Sequence, residues 1–416
     1  MIGDSLELRS SGGFLDSVML LTFEKGKLLD VQVKNVYELD ASLKGIIKPP
    51  DELNYIIEQH LGESQWWLRD ANMYADFPNK TAPRIAWFLQ KQTSLSIGSV
   101  WAVDSYFIQN LIDLIGPVFL PEYNETINSD NFLDRLYFHA NLNLGNEKNT
   151  ASFLQTLTLR LSEKIKAASS VSLIKTLPFL SSQASQKHFM VWYGESGQEL
   201  SLQPWSGEIK KIPNQVVEFG DLSVADYVMP VDINLGINKA NYFITRSLNY
   251  NITLDNKSDS AVKIAYSLQN SSQTETWPSG SYKTMVWLYV PADAILDKVW
   301  VKNDNGDTIE VNNKDIEIVN DAGKKRVGLY LEIPPASKRL IELTYKIAKS
   351  LNENNTFGLY IQKQPGITTL PVQIVVNYPP SLKLSKLSQQ VIKRSGYFEL
   401  GQDLEKDIFF AVSFSP

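Results

Sequence analysis

The densest group of reactive side chains lies in residues 66–78, WWLRDANMYADFP, which follow neither a helical nor a strand periodicity. Arg69, Asp70 and Asp76 supply one cation and two carboxylates that could form a charged site. Four aromatic side chains could anchor the loop that carries this site: Trp66, Trp67, Tyr74 and Phe77. Irregular loops fixed on a scaffold are a common place for function. The alternative is a structural loop in which Arg69 and Asp70 satisfy buried backbone groups.

A second candidate lies at residues 8–13, LRSSGG, just before a long apolar segment. Next to Arg9, the glycines Gly12 and Gly13 would let backbone N–H groups approach an anion closely. A strained turn that enters a strand explains the same residues equally well.

Length, composition and charge indicate what kind of protein this is. The chain has 416 residues, of which 43% are apolar and 21% are charged, as in an ordinary folded protein of two or three domains. The formal net charge is −6 and the basic residues are scattered. Binding to nucleic acid through bulk charge is therefore not expected.

The sequence contains no cysteine, which excludes disulfides, thiolate metal sites and cysteine nucleophiles. Its three histidines, His60, His139 and His188, are far apart and do not form an H-E-x-x-H or H-x-x-x-H motif. A zinc site rich in histidine is therefore not expected.

The N-terminus opens directly in strand-like sequence, without the charged and apolar regions of a signal peptide. This start predicts that the chain is part of a longer protein. The best candidate for a membrane span, residues 100–120, is interrupted by Asp104 and Asp113, so no span is predicted.

The first half of the chain predicts an α/β domain over residues 1–228. A hairpin is expected at 14–23 and 28–37, and a helix is expected at 51–61. Thr81 is expected to cap a second helix, and Asp104 to cap a third, which ends at Gly116. Short buried strands at 99–103 and 188–193 complete the pattern, with further helices at 128–142, 150–168 and 171–181 and a last helical turn at 198–205. The expected fold is a mixed sheet flanked by helices.

The second half predicts a β-rich region. Short alternating segments are separated by turns rich in Asn, Gly, Asp and Ser, which is typical of an antiparallel β-sandwich. We assign residues 229–348 to an Ig-like sandwich domain. Residues 349–416 form either a β-rich extension of it or a second small sandwich.

Several motifs resemble those of the domain of unknown function 4012. They are Arg9-Ser10-Ser11-Gly12-Gly13-Phe14, Tyr37-x-x-Asp40, Arg69-Asp70-Ala71-Asn72, Asp76-Phe77-Pro78, Gly116-Pro117, Asn238-Lys239-Ala240-Asn241-Tyr242 and Gln364-Pro365-Gly366. The resemblance covers nearly the whole chain. It implies a bacterial cell-envelope protein that lies outside the cytoplasm, anchored by an N-terminal transmembrane helix absent from this chain.

A fainter resemblance is to the LytR-CpsA-Psr phosphotransferases, through Asp4, Arg9 and the segment 16–21, DSVMLL. It implies an α/β domain of their fold, with transfer of a glycopolymer from a polyprenyl-pyrophosphate donor. Those enzymes carry an Arg-Asp pair at the end of the returning strand, where this chain has Asp40 but no arginine. Arg69 and Asp70 of residues 66–78, which we call the central loop, would compensate.

Two hypotheses for the function follow. The first is metal-assisted phosphotransfer on a lipid-linked glycan, in which positive charge neutralises the phosphates and carboxylates hold Mg²⁺. The residue roles would be catalysis by Arg9, Arg69 and Asp70, substrate binding by Gly12, Gly13, Asn72 and Asp76, and metal binding by Asp40 and Asp70. The partner of this first function would be a polyprenyl (pyro)phosphate lipid or a cell-wall glycan. The second hypothesis is a non-catalytic binding or structural protein of the envelope. It predicts no metal dependence and a ligand, if any, held by aromatic side chains such as Trp66, Trp67 and Trp101.

Overall fold

A computed structural model of the chain describes residues 1–142, 153–167, 173–194, 206–351 and 355–416. Its helices are α1 (Val36–Ala41), α2 (Asp51–Asn54), α3 (Ala82–Thr93), α4 (Ser105–Ile115), α5 (Phe132–Leu142), α6 (Phe153–Ala167) and α7 (Leu173–Ser185). The strands of the first half are β1 (Ile2–Arg9), β2 (Gly12–Glu24), β3 (Lys27–Asn35), β4 (Ser99–Asp104), β5 (Val118–Leu120), β6 (Glu125–Ile127), β7 (Phe189–Tyr193), β8 (Gln215–Val216) and β9 (Gly220–Asp221).

The first half is built on a five-stranded sheet with the order β3-β2-β1-β4-β7. Strands β1 and β4 are parallel, whereas the other neighbours are antiparallel. Apolar residues of α1, α2 and α3 pack on one face of this sheet, and those of α4 to α7 pack on the other. The prediction of a mixed sheet flanked by helices is thus confirmed at this level.

Local capping explains where several predicted elements end. The side chain of Asn35 accepts a hydrogen bond from the N–H of Tyr37 and starts α1, so β3 stops at Asn35 and not at residue 37. Asp104 caps α4 as predicted, through the N–H of Phe107. The hydroxyl of Thr81 instead donates to the carbonyl of Tyr74 and caps no helix.

Two short hairpins, β5–β6 and β8–β9, were not predicted from the sequence. Strands β5 and β6 form a small hairpin between α4 and α5, where their three-residue length gives no periodicity to detect. The predicted helical turn at 198–205 lies outside the described residues. No helix in the described parts of the chain is long and apolar enough to cross a membrane.

The second half consists of two sheets that share one apolar core. The strands are β10 (Val224–Asn234), β11 (Ile244–Thr253), β12 (Ser260–Asn270), β13 (Tyr282–Pro291), β14 (Ile295–Asn303), β15 (Thr308–Glu310), β16 (Glu317–Asp321), β17 (Lys324–Ile333), β18 (Ser337–Ile347), β19 (Thr356–Ile361), β20 (Pro371–Asn377), β21 (Lys383–Leu387), β22 (Ile392–Arg394), β23 (Tyr397–Asp403) and β24 (Ile408–Ser415). One sheet has the order β16-β17-β13-β10-β19-β24-β21 and the other β15-β14-β18-β12-β11-β20-β23-β22.

The strands after residue 349 extend both of these sheets. Strand β19 pairs with β10, and β20 pairs with β11, and both of these pairs are parallel. The sheets are therefore mixed. The sequence had predicted wholly antiparallel sheets, and that part of the prediction was wrong. A hairpin connection would force two strands to be antiparallel. The C-terminal strands β19 and β20 pair with β10 and β11 without such a connection, so a parallel arrangement is possible.

Strand β10 joins the two halves of the molecule. Its residues Val224 and Val228 face the sandwich core. Tyr227, Met229 and Val231, which alternate with them, belong to the core cluster of the α/β domain. Both faces of the strand are therefore buried, and the α/β domain packs directly on the outer face of the seven-stranded sheet.

Strands β1 and β2 approach each other closely next to this junction. A Cβ atom added to Gly13 would lie 2.1 Å from the backbone carbon of Asp4, and one added to Gly3 would lie 2.9 Å from the carbonyl oxygen of Gly13. Neither neighbour is a flexible side chain, so only glycine fits at these positions.

The first prediction concerns this close approach. Replacement of Gly13 by alanine should lower the free energy of unfolding by about 3 kcal/mol, because two buried strands must separate to admit a methyl group. Gly98→Ala is the matched control, since nothing lies within 4 Å of its added Cβ. Urea unfolding of both variants measures the difference. Equal stabilities would show that the β1–β2 contact is not tight.

Candidate functional site

Arg69 lies at the centre of the first group of charges. Its Nη1 is 3.1 Å from Oδ2 of Asp40, and its Nη2 is 2.7 Å from Oε1 of Glu63. Asp40 projects from α1 and also accepts a hydrogen bond from the N–H of Leu68, which fixes the 3₁₀ turn Leu68–Asp70 that carries Arg69. The guanidinium carbon of Arg69 lies 4.8 Å from the centroid of the Trp67 ring, over its face. Trp66, Tyr74 and Phe77 are buried in the core of the α/β domain, so the aromatic anchor predicted for this loop is present.

Arg9 lies deeper, and only 1% of its surface is exposed. Its Nη1 donates to the carbonyl of Asn234 at the end of β10, at 2.6 Å, and its Nη2 donates to Glu7 at 3.0 Å. Oδ1 of Asp70 is 4.0 Å from the same guanidinium, and Oδ2 of Asp70 is 3.8 Å from Nε of Arg69. Asp70 thus lies between the two arginines.

Lys239 is a third cation at this site, and the sequence motif that contains it did not reveal its role. Its Nζ is 2.9 Å from Oδ2 of Asp4 and 3.0 Å from Oε2 of Glu7. Lys239 follows β10, so the sandwich contributes a charge to a cluster built mainly on β1. The sequence shows only two acidic residues, Asp4 and Glu7, in a strand-like segment, and this pattern does not identify Lys239 as their partner.

The charges of this group do not balance. Three cations, Arg9, Arg69 and Lys239, face five carboxylates at 4.0 Å or less: Asp4, Glu7, Asp40, Glu63 and Asp70. The cluster therefore carries an excess of negative charge when every carboxylate is ionised. We refer to these eight residues as the charge cluster.

Burial and neighbouring charges shift the pKa values within the charge cluster. Burial raises the pKa of Asp70 to about 7, because Arg9 and Arg69 oppose the loss of water only in part. Burial also raises the pKa of Asp40. For Glu7 burial acts in the same direction, but Lys239 and Arg9 together outweigh it and lower its pKa.

Residues 8–13, which we call the glycine loop, lie beside the charge cluster and leave no room for a ligand. Gly12 and Gly13 pair with Arg9 and Leu8 in the β1–β2 ladder, and the side chain of Asn72 donates to the carbonyl of Gly13 at 2.7 Å. The cavity that Gly12, Gly13 and Asn72 line measures about 10 Å³, which is room for about one water molecule.

The C-terminal motif covers the same loop. A Cβ atom on Gly366 would lie 2.8 Å from Cα of Gly12. The side-chain amide of Gln364 donates to the carbonyls of Arg9 and Asp232. The predicted substrate-binding residues Gly12, Gly13 and Asn72 are thus brought together, but as part of the contact between the two halves.

Asp76 lies apart from this group. Its carboxylate accepts hydrogen bonds from Nδ2 of Asn79 at 3.0 and 3.1 Å, and burial raises its pKa. Its backbone carbonyl accepts from the N–H groups of Lys80 and Thr81. The structure therefore gives Asp76 a role in shaping the turn before α3.

The described residues contain no group of three or more His, Asp or Glu side chains placed to hold a metal ion. The predicted pair of metal ligands, Asp40 and Asp70, has Arg69 between its two carboxylates. Asp40 also accepts from Gln92 at 3.2 Å. A guanidinium therefore occupies the position that a shared metal ion would need, and the pair does not fit Mg²⁺.

A buried histidine–aspartate pair lines the same small cavity as the glycine loop. Nδ1 of His188 is 2.7 Å from Oδ2 of Asp104, and the other oxygen of Asp104 caps α4. Both residues are almost fully buried. Because the partners lie 84 positions apart, single-sequence patterns gave no signal for this contact.

The raised pKa of Asp70 gives the second prediction. The folded protein binds this proton more tightly than the unfolded chain, whose pKa is near 3.8. The free energy of unfolding should therefore decrease as the pH rises from about 4 to about 7, by up to about 1.4 kcal/mol per pH unit. Asp70→Asn stays neutral, so its stability should depend less on pH over this range.

Urea unfolding between pH 4.5 and 7.5 tests this expectation. The exposed Asp130 provides the control, because Asp130→Asn should leave the pH profile of the unmodified chain unchanged. Parallel profiles for Asp70→Asn and the unmodified chain would contradict the assignment.

Several solved structures resemble part of this chain at low similarity. They include a nutrient-binding protein, described as putative, from Legionella pneumophila (9% identity, TM-score 0.29, covering 46% of this chain and 72% of that one). A putative protease from Parabacteroides distasonis has 9% identity, a TM-score of 0.24, and coverage of 42% and 41%. An M1 zinc metallopeptidase from Deinococcus radiodurans has 12% identity, a TM-score of 0.24, and coverage of 42% and 43%.

The chain thus spans less than half the length of the last two proteins. No curated protein matches the sequence. These matches do not support the fainter resemblance to the LytR-CpsA-Psr phosphotransferases.

The model of one protein family matches residues 1–138, and its description is "Protein of unknown function (DUF4012)". This range contains the glycine loop, Asp40 and the central loop, and it ends before the motifs at Asn238 and Gln364. Residues 1–138 therefore match the DUF4012 family model, as the motifs of this part of the chain predicted.

Proposed function

We propose that this chain is a non-catalytic protein of the cell envelope, in which the α/β domain and the sandwich form one rigid unit that binds or supports a partner. A location outside the cytoplasm and a membrane anchor N-terminal to the chain are parts of this proposal that rest on the family resemblance. A cell-wall glycan is the partner class that such a location suggests.

The observation that carries the proposal is the composition of the charge cluster. A site for a pyrophosphate needs an excess of positive charge, since the ligand brings at least two negative charges. Here the three cations already contact five carboxylates. A phosphate would have to displace buried carboxylates from their partners and leave them uncompensated, at a cost of several kcal/mol.

Access gives a second argument. The arginine nearest the glycine loop, Arg9, is almost wholly removed from solvent. The cavity beside Gly12 and Gly13 is far too small for a phosphate group. The same backbone atoms that an anion would need are covered by Gln364 and Gly366.

Metal-assisted phosphotransfer remains the rival function. It would require Arg9 and Arg69 to release their carboxylates, and Asp40 and Asp70 to exchange Arg69 for Mg²⁺. Arg69 is the more accessible of the two arginines, with 16% of its side chain exposed, and it would have to move first.

The third prediction separates these functions by native mass spectrometry of the chain with a short polyprenyl pyrophosphate, with and without Mg²⁺. We expect no adduct that Mg²⁺ strengthens. Arg69→Ala and the control Arg84→Ala, which removes an exposed arginine, should give the same spectra. A magnesium-strengthened adduct that is lost in Arg9→Ala and Arg69→Ala but kept in Arg84→Ala would favour the phosphotransferase.

The fourth prediction measures the structural role directly. Arg9→Ala should lower the free energy of unfolding by about 3–5 kcal/mol, because Glu7 and Asp70 lose a buried counter-charge and Asn234 loses a hydrogen bond. Arg84→Ala should change it by less than about 0.5 kcal/mol. Urea unfolding checks both values, and a stable Arg9→Ala variant would contradict the structural role.

A further inference from the structure

Strand β3 forms an open edge of the five-stranded sheet. It pairs with β2 on one side and is the last strand in the sheet order. None of the described residues forms a backbone hydrogen bond to its other side. Helix α6 contacts both strands of the β2–β3 hairpin. An open edge presents N–H and C=O groups that can pair with another strand.

The tip of the same hairpin carries an unusual amount of exposed apolar surface. Phe23 is 54% exposed, Leu28 44% and Leu29 60%. The chain turns between β2 and β3 at Lys25 and Gly26, both of which have a positive φ, as in a two-residue hairpin turn. Apolar side chains grouped on a projecting element mark an interaction surface more often than single exposed ones do.

The regular part of this edge is residues 30–35, because the β-bulge in β3 lies nearer the tip, between Leu28 and Asp30. It contains no proline, and its charges are not all of one sign. Asp30 and Lys34 have opposite charges, lie four residues apart, and therefore point to the same face of the sheet. Val31 and Val33 point to the other face.

These side chains are self-complementary in one antiparallel register. If two copies of β3 meet with Gln32 opposite Gln32, Asp30 of each copy faces Lys34 of the other, and Val31 faces Val33 of the other. A shift of two residues in either direction places Gln32 opposite Asp30 or opposite Lys34, and both charge pairs are lost. Opposite charges across a strand pair stabilise it, and each symmetric contact occurs twice.

We propose that β3 is a docking edge for a second copy of this chain, which joins two five-stranded sheets into one continuous sheet. The interface is a symmetric dimer contact, with its two-fold axis at Gln32. Beyond the paired strands, Leu28 and Leu29 at the tip of one hairpin lie beside the start of α1 of the other copy. The exposed Tyr37 there adds apolar contact area. This interface is independent of the function proposed above.

The fifth prediction uses charge reversal. Light scattering after gel filtration measures the mass of the 416-residue chain over a range of concentrations. This mass should correspond to a dimer. Lys34→Glu and Asp30→Lys should each weaken association by about tenfold or more, because two attractions become two repulsions. The double variant Asp30→Lys/Lys34→Glu should recover the dimer, since the pairs are restored with the charges exchanged.

A cross-link tests the register separately. The chain has no cysteine, so Gln32→Cys introduces a single thiol that meets its own copy at the two-fold axis and should form a disulfide-linked dimer on mild oxidation. Lys27→Cys is the control, because its two copies would lie about 30 Å apart along the antiparallel strands.

Three outcomes would overturn the proposal. They are a monomer at every concentration, single charge variants that associate as tightly as the unmodified chain, and a double variant that fails to recover. Equal cross-linking of Gln32→Cys and Lys27→Cys would also overturn the register. Circular dichroism and thermal unfolding of each variant confirm that the exposed substitutions leave the fold unchanged.

Discussion

The buried guanidinium of Arg9 is the constraint on which the arrangement of the two halves depends. A cation removed from water must be compensated by charge and by hydrogen bonds. Glu7 of its own strand supplies the charge, and the carbonyl of Asn234 supplies an acceptor from the sandwich. Because Lys239 balances the second oxygen of Glu7, neither half can satisfy its polar groups without the other.

The candidate site was in part predictable from local sequence. The arginines and aspartates that stand out in the motifs, Arg9, Asp40, Arg69 and Asp70, do lie together. The groups that neutralise them were not predictable. Glu7 lies within a strand that is buried on both faces, and Lys239 comes from more than two hundred residues away. Charge compensation depends on tertiary contacts, which a single sequence does not reveal.

The fold shows the same division between local and distant information. Turn residues and alternation predicted the β2–β3 hairpin and the many strands of the second half. Strand β10, VADYVMPVDIN, is buried on both faces and therefore lacks clear alternation. Its role as the junction between the two halves could not be inferred. The parallel partners of β10 and β11 depend on pairing across more than one hundred residues, which local patterns do not specify.

The central loop illustrates how the same residue types serve either chemistry or assembly. A loop that holds a phosphate keeps its cations in excess and its backbone N–H groups accessible. In this loop Arg69 contacts Asp40 and Glu63, and the side-chain amide of Asn72 donates a hydrogen bond to the carbonyl of Gly13. Aromatic packing then holds these pairs away from water, which strengthens them and makes their disruption expensive. Because its carboxylates outnumber its cations and contact them directly, the polar motif of this loop forms part of a buried junction.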